Sequence, residues 1–231
     1  MGCRLFYAPG NNMILDLHIH TRIGSGDSSI EYDDLVPCAK KAGLDGICIT
    51  EHSYKKSSVA EDISQKYGFL VLEGFELSTE FGDVLVYGLD EIPLSLFRLE
   101  DIRRYVVEKG GVMFAAHPFR SEITRPVMRG QMPNVTLEQA LNRDLFMMVD
   151  GIEVVNGWSC QEEVDFSFRV TESLGLRASG ASDAHSQEQI GSCATVFQNA
   201  ITCEADFLKQ LKQGCFTPED RRPPGSVGLY I

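Results

Sequence analysis

All five histidines of this 231-residue chain stand at or beside the ends of short apolar runs that read as β-strands. His18 and His20 form an H-x-H pair after Met13–Leu17, His52 ends Gly46–His52, His117 ends Gly111–His117, and His185 ends Ser182-Asp-Ala-His185. Amphipathic helical segments separate most of these runs, and strands alternating with helices imply a mainly parallel sheet. A TIM-like barrel gathers its site at the carboxyl ends of its strands, where these metal-capable side chains stand. An open doubly wound sheet binds ligands there too, but usually with a glycine-rich phosphate loop, which the first strand lacks. The pattern therefore predicts an α/β chain folded as a distorted barrel.

The elements follow one another without repeat or interdomain linker. After the strand Met13–His20, Ser28 or Ser29 caps a helix that glycine stops at Gly43. Gly46–His52 leads to a helix near Val59–Tyr67, and Phe69–Leu77 with Val84–Leu89 forms a hairpin around Phe81-Gly82-Asp83. A helix over Leu99–Lys109 precedes Val112–His117, and Pro118–Pro133 reads as a long arginine-bearing loop. Then come a helix at Leu137–Arg143, a strand at Asp150–Asn156, a helix at Gln161–Leu174 and a strand at Arg177–Ser182. Ala194–Gln198 reads as a possible further strand, and Glu204–Gln213 as a helix that packs through Phe207, Leu208 and Leu211. Residues 1–12 read as an N-terminal extension, 13–231 as a single domain, and the tail from about Thr217 as loop.

Composition narrows the function. A hydrophobic content of 43% supports one sizeable core. No apolar run reaches the roughly 18–20 residues that cross a bilayer, and the N-terminus has no secretory pattern. Met1-Gly2-Cys3 fails the myristoylation pattern because position 6 is Phe. Seven cysteines without a C-x-x-C pair suit a reducing cytoplasm, with Cys38 and Cys48 as buried thiols. The net charge of −12 argues against a long nucleic-acid duplex as partner, since phosphate contacts need clustered Lys and Arg. It leaves a small anionic substrate open, because bound cations would offset carboxylates locally.

Strand alternation puts His18 and His20 on one face, with Leu17 and Ile19 on the other, and pairs Asp183 with His185. Imidazoles and carboxylates meeting from distant strands suit Zn, Mn or Fe. Asp16 and Glu51, beside ligand histidines, are expected to accept hydrogen bonds from the imidazoles and set their tautomers. Trp158, Phe166 and Phe168 read as helix core contacts rather than a base-stacking pocket.

The stretches Asp16-Leu-His-Ile-His20-Thr21, Thr50-Glu-His52, Gly74-Phe-Glu76, Ala116-His117-Pro118 and Ser182-Asp-Ala-His185 together resemble the PHP family, named for polymerase and histidinol phosphatase. The resemblance spans Ile14–Phe197, is closest to the small stand-alone members, and implies a distorted TIM-like (β/α)7 barrel with two or three divalent metal ions. By that likeness His18, His20, Glu76 and Asp183 hold one ion, and Glu76 bridges to a second held with His117. Asp27, His52 and His185 hold a third. Asn156 stands where family members often carry His or Cys and is a weaker ligand for the second ion; it is read equally as closing the turn before Gly157. Asp27 comes seven residues after His20 instead of six, so it is either a ligand displaced by one residue or a turn residue.

The resemblance implies a metal-dependent phosphoesterase hydrolysing a small phosphorylated metabolite, nucleotide or oligonucleotide end through a metal-bound hydroxide. Arg22, Arg120 and Arg125, with Arg129 on the same loop, are the candidates for binding the phosphate, and Asp183 or His185 for proton transfer. Two other readings compete: an amidohydrolase-like attack on a C–N or C–O bond, and a metal-binding module without turnover.

Overall fold

The computed structural model describes residues 12–57 and 59–223. Nine strands form one sheet: β1 (Met13–Ile19), β2 (Gly46–Glu51), β3 (Leu70–Thr79), β4 (Gly82–Tyr87), β5 (Val112–Ala115), β6 (Gly151–Asn156), β7 (Arg177–Ala181), β8 (Cys193–Phe197) and β9 (Phe216–Asp220), in the order β7-β6-β5-β4-β3-β2-β1-β8-β9. The sheet rolls until its β7 edge returns to β1. A parallel bridge joins Ile19 to Ala184, the His20 amide donates to the Ala184 carbonyl at 3.0 Å, and Thr195 of β8 exchanges hydrogen bonds with Gly180 of β7. The result is the expected barrel, nearly closed.

Pairing is less parallel than expected. Four neighbouring pairs are parallel and four antiparallel, because β3-β4-β5 forms a meander and β8 and β9 pack antiparallel beyond β1. β9 corrects the reading of the tail from Thr217 as loop: Thr217–Asp220 pairs with β8, and Phe216 joins the core. The sequence Phe-Thr-Pro-Glu-Asp hides this strand, since proline is tolerated on an edge. The N-terminal extension, apart from Asn12, and the last eight residues of the tail lie outside the described residues.

Apolar side chains separate into three layers. Leu15, Leu17, Leu72, Leu85, Tyr87, Phe114, Phe197 and Phe216 fill the barrel with Phe207 and Leu211 of α8 (Glu204–Gln213). Ile19, Ile47, Ile49 and Val71 pack outward under α1 (Tyr32–Lys41) and α2 (Val59–Tyr67). Val84, Val86, Met113 and Ile152 pack outward against α3 (Leu99–Lys109) and α7 (Gln161–Leu174). Each fully buried Leu, Ile, Val or Phe contributes about 1.5–3 kcal/mol, so these layers supply the main drive for closure. α3 stops at Gly110, whose φ of 76° is the left-handed cap that glycine adopts without strain.

Two loops differ from expectation. Residues after His117 are helical, with a π-helical turn over Arg120–Thr124 running into α4 (Arg125–Met128), and α5 (Leu137–Leu141) and α6 (Asp144–Met147) follow. α1 starts later than Ser28 or Ser29, on a Glu31–Asp34 capping box. Ser28 instead donates to the carbonyl of His20 at 2.9 Å and contacts that of His185, tying the first loop to the barrel mouth. No helix among the described residues is long and apolar enough to cross a membrane.

Candidate metal centre

The strands deliver their polar ends to one mouth of the barrel, but strict alternation does not get them there. Pairing of β1 with β2 slips between Asp16 and Ile19, so Leu17 packs inside the barrel, Ile19 packs outside, and His18 and His20 both reach the centre. The expected shared face of Leu17 and Ile19 is thereby corrected. His117 and Asp183 turn inward through left-handed backbone, with φ of 30° and 53°. For non-glycine residues such conformations cost roughly 1–3 kcal/mol, and they cluster at functional sites.

Four buried donors converge. His18 Nε2 lies 3.0 Å from His20 Nε2, 3.2 Å from Glu76 Oε2 and 3.4 Å from Asp183 Oδ1; His20 Nε2 lies 3.0 Å from the same Glu76 oxygen and 3.4 Å from Asp183. His20, His52 and His185 form a second group of converging donors, and Glu76, Asp83 and His117 a third; within each group the ligand atoms lie within 4.8 Å of one another. Rings of His52 and His185 approach that of His20 with centroids 4.5 and 4.6 Å apart.

The donor chemistry fits divalent cations. Glu153 Oε1, 2.9 Å from His18 Nδ1, is placed to accept from that nitrogen, which turns Nε2 toward the other donors, where it would offer its lone pair to a bound cation. Nδ1 of His20 is buried with no hydrogen-bond partner. Burial by itself would depress the His18 pKa, yet Asp183, Glu76 and Glu153 raise it well above the ordinary value. Burial would likewise raise the Asp183 carboxyl, and His18 and Arg120 hold it well below. A pocket that stabilises positive charge this strongly, lined by lone pairs, is suited to metal ions.

The other expected residues divide. Asp27 is largely exposed, with Oδ1 3.5 Å from His185 Nε2, so it stands at the rim of the second group. The Asn156 side chain is engaged in hydrogen bonds: its Oδ1 accepts from Arg120 at 2.7 Å and from the Trp158 amide at 2.9 Å, the second of which closes the turn around Gly157. Arg120 also donates to Asp183 Oδ2 at 2.7 Å and lines the cavity with Arg125. Arg129 is exposed and does not line the cavity. Arg22 is far less suited to a ligand, being exposed and paired with Glu31.

Asp16 corrects its expected role. It accepts from the amides of Ser182 and Gly191, both at 2.9 Å, and so holds the β7–β8 seam rather than an imidazole. Glu51 accepts from Thr21 and stands 4.0 Å from His20 Nδ1. Trp158 is in the cavity wall rather than the core, with Nε1 donating to the Asp183 carbonyl at 2.9 Å. Phe166 and Phe168 do pack against the core.

Two residues escaped sequence reasoning. Glu153, a carboxylate inside the apolar run Gly151–Val155, carried a legible signal, since a buried charge demands a partner. Asp83 sits beside a hairpin turn where aspartate is commonplace, and nothing local marks it.

Above the donors opens a cavity of about 430 Å³, with His52, Glu76, His117, Asp183 and His185 among its lining residues and Trp158 and Met128 in its wall. The PHP domain family model matches residues 16–106, and the PHP-associated model matches residues 162–215. An uncharacterised protein of Methanocaldococcus jannaschii is 30% identical over 158 residues, which cover 63% of this chain and 83% of that one. A protein of Thermotoga maritima described as a probable histidinol-phosphatase is 31% identical over 65 residues, 28% of each chain. The crystal structure of a two-domain Bacteroides vulgatus protein, described as containing a predicted PHP-like metal-dependent phosphoesterase, has a TM-score of 0.64 and 19% identity, covering 90% of this chain and 64% of that one. With its histidine and carboxylate stretches assembled at one barrel mouth and both domain models matched, the chain belongs to the PHP family.

Proposed function

We propose that this protein is a metal-dependent phosphoesterase acting on a small phosphorylated metabolite, nucleotide or oligonucleotide end. The observation that carries the reading is the convergence of His18, His20, Glu76 and Asp183 on one point at the floor of a cavity that also bears Arg120 and Arg125. The descriptions of the Thermotoga and Bacteroides proteins support it.

His18, His20, Glu76 and Asp183 would hold one Zn, Mn or Fe ion, and His52 and His185, with Asp27 at the rim, would contribute to another. Such ions, when bound, lower the pKa of water and offset the charge that develops on phosphoryl oxygens. The chain's own residues do the rest. Arg125, exposed at the rim, draws the anion in, and Arg120 presents a guanidinium fixed by Asn156 and Asp183 to the outer phosphoryl oxygens. Asp183 has Oδ1 against the imidazoles and Oδ2 on Arg120, so neither oxygen is free to carry a proton to the leaving group. His185 is better placed in a state where its Nε2 does not hold an ion: its Nδ1 donates to the Asp183 carbonyl at 2.9 Å, which leaves Nε2 to carry the proton, and its ring lines the cavity. Trp158 shields one wall from water with its indole.

The test is a panel of phosphomonoesters, phosphodiesters and amides with Mn, Zn or Fe. Hydrolysis of a phosphoester, read as released phosphate for monoesters and released alcohol for diesters, that chelation and His20→Ala both abolish is the expected result. Phosphoester hydrolysis surviving either treatment, or turnover of amides alone, overturns the proposal.

A further inference from the structure

We infer that Asp83 is a metal ligand of this centre, forming a second cation site with Glu76 and His117. The inference rests on the metal-dependent reading above, and it starts from how Glu76 divides its carboxylate. Oε2 faces His18, His20 and His52 at 3.2, 3.0 and 3.5 Å, whereas Oε1 faces His117 Nε2 at 2.9 Å. The two oxygens thus serve different sides of the mouth, and the His117 side needs a third donor.

Asp83 supplies it. Glu76 pairs with Leu85 in the β3–β4 meander, so Asp83, two residues before Leu85, shares the inward face of the barrel. Its carboxylate comes within 4.8 Å of the Glu76 and His117 ligand atoms and lines the same cavity. Ser78, directly across the ladder, donates to Oδ1 at 2.7 Å and orients the group, while the other oxygen accepts no hydrogen bond among the described residues.

Asn156, the residue that the family pattern offers for this role, is withdrawn from it. Its Oδ1 already accepts two hydrogen bonds, which exhausts the lone pairs of an amide oxygen, and one donor is the Arg120 cation. Its Nδ2 donates to Glu153 Oε2 at 2.9 Å, which fixes the amide in this orientation. A carboxylate arriving from β4 replaces the neutral amide on β6. The resulting O, N, O set of three side chains leaves positions open for a substrate oxygen, as catalytic sites require.

The experiment counts metal rather than turnover. Full-length protein saturated with Mn²⁺ and desalted is measured by plasma mass spectrometry, by calorimetric titration and by electron paramagnetic resonance. Asp83→Asn is expected to lose one equivalent per chain, or to bind it at least tenfold more weakly, and to change an exchange-coupled spectrum into that of isolated Mn²⁺. Asp90→Asn, which removes an exposed carboxylate outside the cavity, is expected to leave all three readouts unchanged. Unaltered stoichiometry and affinity in Asp83→Asn, or an equal loss in Asp90→Asn, overturns the inference. Wild-type protein that takes up no Mn²⁺, Zn²⁺ or Fe²⁺ overturns the metal-dependent reading itself.

Discussion

Glu153 Oε1 lies 2.9 Å from Nδ1 of His18, with both side chains wholly removed from solvent. The other oxygen of Glu153 accepts from the His117 amide at 3.0 Å and from Asn156 Nδ2 at 2.9 Å, so one carboxylate orients groups from β1, β5 and β6. Residues that orient metal-binding imidazoles typically govern metal affinity by 10–100-fold. Glu153→Ala is expected to weaken metal binding by that order and to destabilise the fold by roughly 2–4 kcal/mol, since it strands buried donors. Glu153→Gln, which keeps an acceptor, should fall between. Calorimetric metal titration beside urea denaturation checks both; wild-type affinity in Glu153→Ala would remove this residue from the centre.

Gly157 follows β6 where the chain passes against the β7 end. A Cβ there would lie 2.3 Å from the Ser182 carbonyl oxygen, a backbone atom that cannot rotate away. Gly157→Ala should therefore push Trp158 and Asp183 apart, at a cost of about 1–3 kcal/mol. Lower urea resistance together with weakened metal binding is the expected pair of results. The same substitution at Gly26, where a Cβ meets nothing within 4 Å, should be nearly silent.

The three candidate arginines should separate by burial. Arg22→Ala disturbs an exposed pair with Glu31 and should shift neither stability nor kinetics beyond about 0.5 kcal/mol. Arg125→Ala should raise KM for phosphorylated substrates while leaving urea denaturation unchanged, because it lies at the exposed cavity rim. Arg120→Ala leaves buried Asp183 without its cation, a change typically costing 3–5 kcal/mol, and should lower both stability and kcat. Steady-state kinetics with denaturation curves for the three variants decides the ranking.

Away from the centre, Arg103 of α3 grips Asp150 through two hydrogen bonds of 2.6 and 2.9 Å, and the Met113 amide adds a third at 3.0 Å. Burial would raise the Asp150 carboxyl, but these donors hold it below its ordinary value. Because the folded pKa is depressed, the stabilisation is complete above the unfolded value of about 3.9 and is lost as pH falls through the lower folded value. Asp150→Asn should cost roughly 1–2 kcal/mol near pH 7, and the gap from wild type should close below pH 4. Urea curves at several pH values test the sign: a gap that widens on acidification contradicts it.

Much of the centre was legible in sequence because strand ends are local features. An apolar run closed by histidine announces both a strand and the place where it stops, and five such closures in an alternating pattern imply a barrel with a single polar mouth. His18, His20, His52, His117 and His185 therefore stood out, as did Asp183 by its spacing from His185, whereas Glu76 was marked only by the family likeness. Register and pairing were not local. The slip between Asp16 and Ile19 moves Leu17 to the inner face, β9 becomes a strand because β8 offers an edge to pair with, and the loop after His117 becomes helical as it folds over the mouth. Asn156 shows the limit most clearly: the family likeness offers it as a weak ligand and its place before Gly157 as a turn residue, and only its neighbours in space show that its oxygen accepts from Arg120 and the Trp158 amide.

Residue order thus determined which elements form and which donors each strand end carries, because hydrophobic periodicity and turn residues act within a few positions of one another. Tertiary structure decided which donors converge, which carboxylate orients which imidazole, and that the Asp83 carboxylate comes close to Glu76 and His117. Coordination and hydrogen bonding depend on distances of a few ångströms between strands far apart in the chain, and those distances exist only once the barrel has closed.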